Sequence, residues 1–473
     1  MRAETLLVLC AGVAACATMT RPEGSGGWSA ERRRAELATR AASASVELEP
    51  APAARPAGAP LDLRAVLALA AGGNRRIAEA ERQVAIAGER VADVRGRLLP
   101  ATTVQGRYTW YTDPLTNQIN LPPPAPASIS IRDSQFGTLN GALALPVDLS
   151  GELRHALTAA QAGYRGEQAR LWATTLDQQT AVIRAYFQLL EAQRLREVTD
   201  QTIALDRQQL ADAQSRFDAG RLTKNELLVV QVALAYAEQQ RVQGDLSVDQ
   251  ARWNLNDAIG LPVNAPTEVV DVTRAPTSPA VADALQTAYR HNPILLALVE
   301  EQQRLEDTAT ALVRSRLPRF GAGGAIDYTS SGLIQPQDVA NAYVGMTWDL
   351  GTDGRREAQI AEARIQADKN RIAIERDLRE LENAVRLAHR AVDERLAALA
   401  AAQVAVGQAE ENVHIRRQQF DAGRATSEDV LQAHALLTGQ RATLATARYQ
   451  AHARRAELQQ LMGLPLDDLV PGE

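Results

Sequence analysis

A chain of 473 residues is long enough for two or more domains, but only 4% of it is aromatic, too little for ordinary globular cores. The formal net charge of -6 gives no basic footprint for nucleic acid. Cys10 and Cys16 both fall near the start and the 6 histidines show no ligand spacing, so no disulfide framework, metal site or cofactor is expected.

Leu6 to Ala17 is an uncharged apolar run, too short to span a bilayer, and reads as the core of a signal peptide over residues 1–17. It ends in Val13-Ala14-Ala15-Cys16, which resembles a bacterial lipobox with Cys16 as the lipidated residue. Ordinary cleavage after Ala17 is the alternative. Residues 18–60, rich in Ala, Pro, Gly, Ser and Arg, suit a tether. No later run of about eighteen apolar residues follows, so a membrane span would need β-strands.

The rest of the chain is duplicated. Phe217-Asp218-Ala219-Gly220-Arg221 returns as Phe420-Asp421-Ala422-Gly423-Arg424, and Gly260-Leu261-Pro262 as Gly463-Leu464-Pro465, both 203 residues on. Repeat one covers 61–262 and repeat two 280–465, with a linker at 263–279 and a tail at 466–473. Each opens on a helical pattern, Leu61 to Leu99 and Val281 to Leu317, stopped by Pro100 or Pro318.

Two strand-like segments follow in each repeat, at about 101–112 and 135–147, then about 319–329 and 339–349. Val104, Gly106, Tyr108 and Trp110 alternate with Thr103, Gln105, Arg107 and Thr109. Ala342, Val344, Met346 and Trp348 alternate with Asn341, Tyr343 and Thr347. Such segments fit tilted barrel strands, and equally a half-buried soluble sheet. The first hairpin is longer by about seventeen residues, since the offset drops from 218 (Pro100 to Pro318) to 201 (Asp148 to Asp349).

Long helices come next, at about 151–216 and 354–419. In the second, an apolar stripe from Ile374 through Leu381, Val385, Val392 and Leu399 to Phe420 advances about 3.5 residues per turn, the heptad value for left-handed packing. At 1.5 Å per residue each helix is about 100 Å long. The Phe-Asp-Ala-Gly turns reverse the chain into returning helices at about 223–259 and 426–462. Glycine, then Thr223 or Thr426, then Glu226 or Asp429 three residues on, is a stop-and-restart signal. Four strands per chain cannot close a barrel, so several chains must pool them if they span a membrane.

Duplication, element order, turns and Gly-Leu-Pro stops together resemble the TolC family of outer-membrane channels, in particular its lipoprotein branch, over about residues 61–465. The resemblance implies a mainly α fold with a small membrane β-barrel contribution, as a homotrimer with a twelve-stranded barrel continued by a helical coiled-coil tube. It implies no enzyme, but a passive exit duct of a tripartite efflux or type I secretion system. The partners would be outer-membrane lipid, a periplasmic adaptor and an inner-membrane pump of the RND or ABC type. Family adaptors meet the helix-turn-helix ends, here Phe217, Gly220, Arg221, Leu222 and Thr223 with Phe420, Gly423, Arg424, Ala425 and Thr426. Shaping and capping the turn is the plainer role for the Gly and Thr residues. The family's pore gate matches Asp429, with Glu428 beside it, Phe420 at an aromatic latch position and Glu226 at an acidic one. For Asp429 the competing role is a helix-capping carboxylate. A lipid-anchored periplasmic coiled-coil adaptor or structural protein is the alternative overall, though adaptors carry one hairpin and this chain carries two.

Overall fold

The computed structural model describes residues 60–113, 115–119, 127–272, 275–351 and 354–466. The expected signal peptide, Cys16, nearly all of the tether, the Pro-rich loop at 121–126 and the tail beyond Leu466 lie outside them.

Repeat one holds α1 (Leu63–Gly73), α2 (Arg75–Gly96), β1 (Ala101–Trp110), β2 (Leu115–Ile119), β3 (Ala127–Arg132), β4 (Gln135–Val147), α3 (Glu152–Asp218) and α4 (Lys224–Ala258). Repeat two holds α5 (Val281–His291), α6 (Pro293–Arg314), β5 (Arg319–Thr329), β6 (Asp338–Thr347), α7 (Arg355–Asp421) and α8 (Ser427–Leu461). Corresponding helices match in length: 11 residues for α1 and α5, 22 for α2 and α6, 67 for α3 and α7, 35 for α4 and α8.

Two expectations need correction. The opening helices are not continuous from Leu61 to Leu99 or from Val281 to Leu317; each breaks at an asparagine. Asn74 Oδ1 accepts from the backbone N–H of Arg76 at 2.9 Å, and Asn292 Oδ1 from Ile294 and Leu295 at 3.1 Å each. The asparagines adopt extended backbone conformations and cap a new helix, which Pro293 begins in the second repeat. The first hairpin is longer because it carries a further two-stranded ribbon, β2 paired with β3, absent from the expected two-strand reading.

β1, β4, β5 and β6 form one antiparallel sheet in that order, so the central pair joins the two repeats. The long helices leave the sheet and pack against the returning ones. In α7 the burial of Leu381, Val385, Val392, Leu399, Ala402 and Ala409 follows the expected stripe. Two cores sit beside the ends of the returning helices. In one, Leu63 and Val66 meet Ile183, Tyr186, Leu189 and Leu255; in the other, Ala284 and Leu295 meet Val385, Val392, Leu458 and Met462. The Tyr186 hydroxyl is buried there and donates to the carbonyl of Val270, in the segment that bridges to Leu61. Burial pushes that phenol well above its ordinary pKa, so it stays a donor. The Gly-Leu-Pro stops lock the same belt. A Cβ on Gly463, held at φ 71°, would lie 2.1 Å from the carbonyl oxygen of His291, so the helix end approaches α5 only with glycine there.

Candidate functional site

Two surfaces are candidate functional sites: the sheet and the paired helical tips. Because the strands are in register, alternate residues of each strand share a face across all four. One face presents Val104, Leu143, Leu145, Ile326, Val344 and Met346, and these large apolar side chains are exposed. The opposite face carries Gln105, Asn140, Asp327 and Asn341. There Asn140 Nδ2 donates to Asp327 Oδ1 at 2.6 Å, and Asn341 Nδ2 reaches Asp327 Oδ2 at 3.5 Å. Tyr108, Trp110 and Tyr328 flank the apolar face at one end, Phe320 and Trp348 at the other. Trp348 Nε1 donates to the carbonyl of Arg316 at 3.0 Å, an aromatic with one wet edge at the junction with the helices. An apolar band between aromatic rows, backed by a polar face, is the arrangement of a membrane barrel wall. The outer strands β1 and β6 have no partner on their far sides among the described residues. Among those residues, no helix is long and apolar enough to cross a membrane.

At the tips, both turns are built identically. Gly220 and Gly423 sit at φ 68°, where a side chain would be strained. Gly220 N donates to Phe217 O at 2.8 Å and Arg221 N to Arg216 O at 2.8 Å; Gly423 and Arg424 repeat the pattern to Phe420 and Gln419. These are paired helix-stop bonds of the Schellman type. The next helix starts at once. Thr223 N and Oγ1 donate to Glu226 Oε2 at 2.9 and 2.7 Å, and Thr426 N and Oγ1 donate to Asp429 Oδ2, both at 2.8 Å. The threonine amide and hydroxyl hold both carboxyls below the ordinary carboxylate range. Glu226 and Asp429 are therefore capping groups that keep a full negative charge at neutral pH.

Phe217 and Leu222 pack against a small apolar tip cluster of Ala213, Leu227 and Val230. Arg221, Arg424 and Glu428 are exposed, Ala425 is half-buried, and neither arginine side chain has an ion-pair partner among the described residues. The motif pattern did not single out Arg216. Its guanidinium lies 4.2 Å over the Phe420 ring and 3.2 Å from Asp421 Oδ1, so α3 of one repeat grips the turn of the other. Phe420, which lacks a hydroxyl, is thereby joined to the opposite hairpin through its face. Ser427 and His434 of α8 were missed as well. They are buried beneath the same turn, and comparison with their repeat-one counterparts, Lys224 and Gln231, is the signal that marks them. No group of three or more His, Cys, Asp or Glu placed to hold a metal occurs among the described residues.

The family model for outer membrane efflux proteins matches residues 66–261 and 284–464, one stretch per repeat. A search of curated protein sequences gives no significant match. Among solved structures, the outer membrane protein VceC of Vibrio cholerae is 18% identical with TM-score 0.71, over 85% of this chain and 96% of its own. The CmeC outer membrane channel of Campylobacter jejuni is 14% identical with TM-score 0.71, over 85% of each chain. The open state of the MtrE outer membrane channel of Neisseria gonorrhoeae is 17% identical with TM-score 0.66, over 85% of this chain and 89% of its own. At these identities the likeness is one of fold. With the family model matched across both repeats, the chain belongs to the outer membrane efflux protein family, the TolC-like channels that act as transport ducts rather than enzymes.

Proposed function

We propose that three copies of the chain assemble into the outer-membrane exit duct of a tripartite efflux or type I secretion system. The observation that carries this reading is the four-stranded sheet, apolar on one face and polar on the other, with neither edge paired among the described residues and 67-residue helices leading from it. Unpaired strand edges are untenable in hydrocarbon, and pooling strands between chains satisfies them. Three copies supply twelve strands, enough for a water-filled lumen lined by the Asn140–Asp327 face. Transport through such a duct is passive, and energy comes from an inner-membrane pump of the RND or ABC type. A second contact with the membrane is a lipid on Cys16; Cys16→Ser should abolish metabolic labelling with palmitate, and undiminished labelling refutes the anchor.

The hairpin tips are the contact for a periplasmic adaptor, with exposed Arg221 and Arg424 beside the Gly220 and Gly423 turns as the groups free to meet it. Phe217, Leu222, Thr223, Ala425 and Thr426 shape the same surface. In the double variant Arg221→Glu with Arg424→Glu, adaptor crosslinking and export should both fall by at least about tenfold, the effect of losing about 1.4 kcal/mol of docking energy. Export and crosslinking at the parental level would exclude docking through these side chains.

The same tips form the gate. Around a threefold axis Asp429, with Glu428 beside it and Glu226 in the other repeat, would place ionised carboxylates in a ring that repels anions and favours cations. Phe420 closes the turn behind them. Asp429→Asn retains an oxygen to cap Thr426 but removes the charge, so single-channel recordings should show reduced cation selectivity. Selectivity equal to that of the parent would leave Asp429 a capping residue alone.

A further inference from the structure

We propose that the cavity where the two hairpins meet is a proton-linked site for a small oxyanion, held by Ser427, His434 and Arg417. A space of about 90 Å³ opens there, walled by Asp212 and Arg216 of α3, Val230 of α4, Arg417 of α7, and Ser427 and His434 of α8. One water needs about 10–15 Å³ on this scale, so the space takes several waters or one sulfate-sized group.

Its floor is polar and unsatisfied. Ser427 and His434 are each 7% exposed, and neither Ser427 Oγ nor His434 Nδ1 has a hydrogen-bond partner among the described residues. Buried polar atoms without partners mark a place where an ion or water belongs. The charges around them are mixed. Ser427 opens α8, a 35-residue helix whose positive end is shared with Glu428 and Asp429 in its first turn. Arg417 has no carboxylate partner among the described residues, whereas Arg216 is engaged by Asp421 at 3.2 Å and Arg441 by Glu410 at 2.9 Å. Asp212, exposed at the rim, offsets Arg417, and Asp421, also on the wall, is offset by Arg216. Net attraction for an anion therefore arises when the imidazole takes a proton. Burial, with Arg417 and Arg441 nearby, lowers the His434 pKa. An anion between Arg417 and His434 reverses that repulsion, so proton and anion bind together.

The cluster is a feature of the second repeat. Shifted back by 203 residues, Arg417, Ser427 and His434 become Gln214, Lys224 and Gln231. The same hairpin folds in repeat one without them, so the cluster is not needed to build the tip. Held by Ser427 and His434 of α8 and Arg417 of α7, a bound anion ties those two helices together beside the Arg216–Asp421 contact with α3. The site stands on the fold, independent of the roles proposed for Asp429 and the adaptor.

Hydrogen–deuterium exchange of the full-length protein in detergent reads the site through the amides of residues 424–438. Sulfate is the probe because its charge is constant between about pH 5.5 and about pH 8, the range in which histidine titrates; chloride at matched ionic strength is the reference. At about ten times its half-saturating concentration, sulfate should slow exchange about tenfold at the acid pH and leave it unchanged at the alkaline one. His434→Gln and Arg417→Gln each install the repeat-one residue and should each remove the effect. No sulfate effect at the acid pH, or one of equal size in either variant, overturns the proposal. So does an equal effect at both pH values, the signature of general salting-out.

Discussion

In hydrocarbon every backbone N–H and C=O needs a partner, since each one left bare costs several kcal/mol. That constraint governs how this chain can meet a membrane. Among the described residues, the surface suited to lipid is a sheet of β1, β4, β5 and β6 whose outer strands have no partner on their far sides. A single copy would expose two rows of free peptide groups. If this sheet spans a membrane, assembly is thus part of the span itself, in contrast to a helical membrane protein, where each span is self-contained. The order of the sheet reinforces this: β4 pairs with β5, so the two repeats contribute jointly to one wall and neither forms a unit alone.

Duplication solves the rest of the structure economically. Four pairs of helices of equal length place two near-equivalent hairpins side by side, each stopped by glycine in a left-handed conformation and restarted by a threonine capping box. Equivalence of backbone leaves side chains free to diverge. Tyr186 in the first core corresponds to His389 in the second, and each reaches a backbone carbonyl of the linker, Val270 or Pro279. At the tips the divergence is sharper. Arg216 crosses to Phe420 and Asp421, but its counterpart is Gln419, which cannot return the contact. The pseudo-symmetric pair is therefore held by an asymmetric interaction, on the side where Ser427 and His434 lie buried.

Much of this was legible in the sequence, and the legible parts share a cause. Pro100, Pro318, Gly220, Gly423, Gly260 and Gly463 act through local backbone geometry, which a reader can apply without knowing the fold. The alternation in β1 and β6 likewise follows from strand geometry and assigns the two faces of the sheet. The breaks at Asn74 and Asn292 are marked by Gly72-Gly73 before the one and Pro293 after the other, but the apolar pattern that continues across them masks both signals. The β2–β3 ribbon escaped because its strands, Leu115–Ile119 and Ala127–Arg132, are short and flank the Pro-rich stretch 121–126, which reads as a loop. The tip motif was visible, but the role of Arg216 was not: its partner Asp421 is 205 residues away and meets it only once two long helices pack. His434 likewise looks like any helical residue until its burial against α3 is known.

Whether the chain works as a membrane duct with strands shared between copies can be read from native mass spectrometry of the protein extracted by detergent from the outer-membrane fraction. A complex of three subunits that stays in the membrane pellet until detergent is added is expected. A monomer released into the soluble periplasmic fraction would overturn the duct.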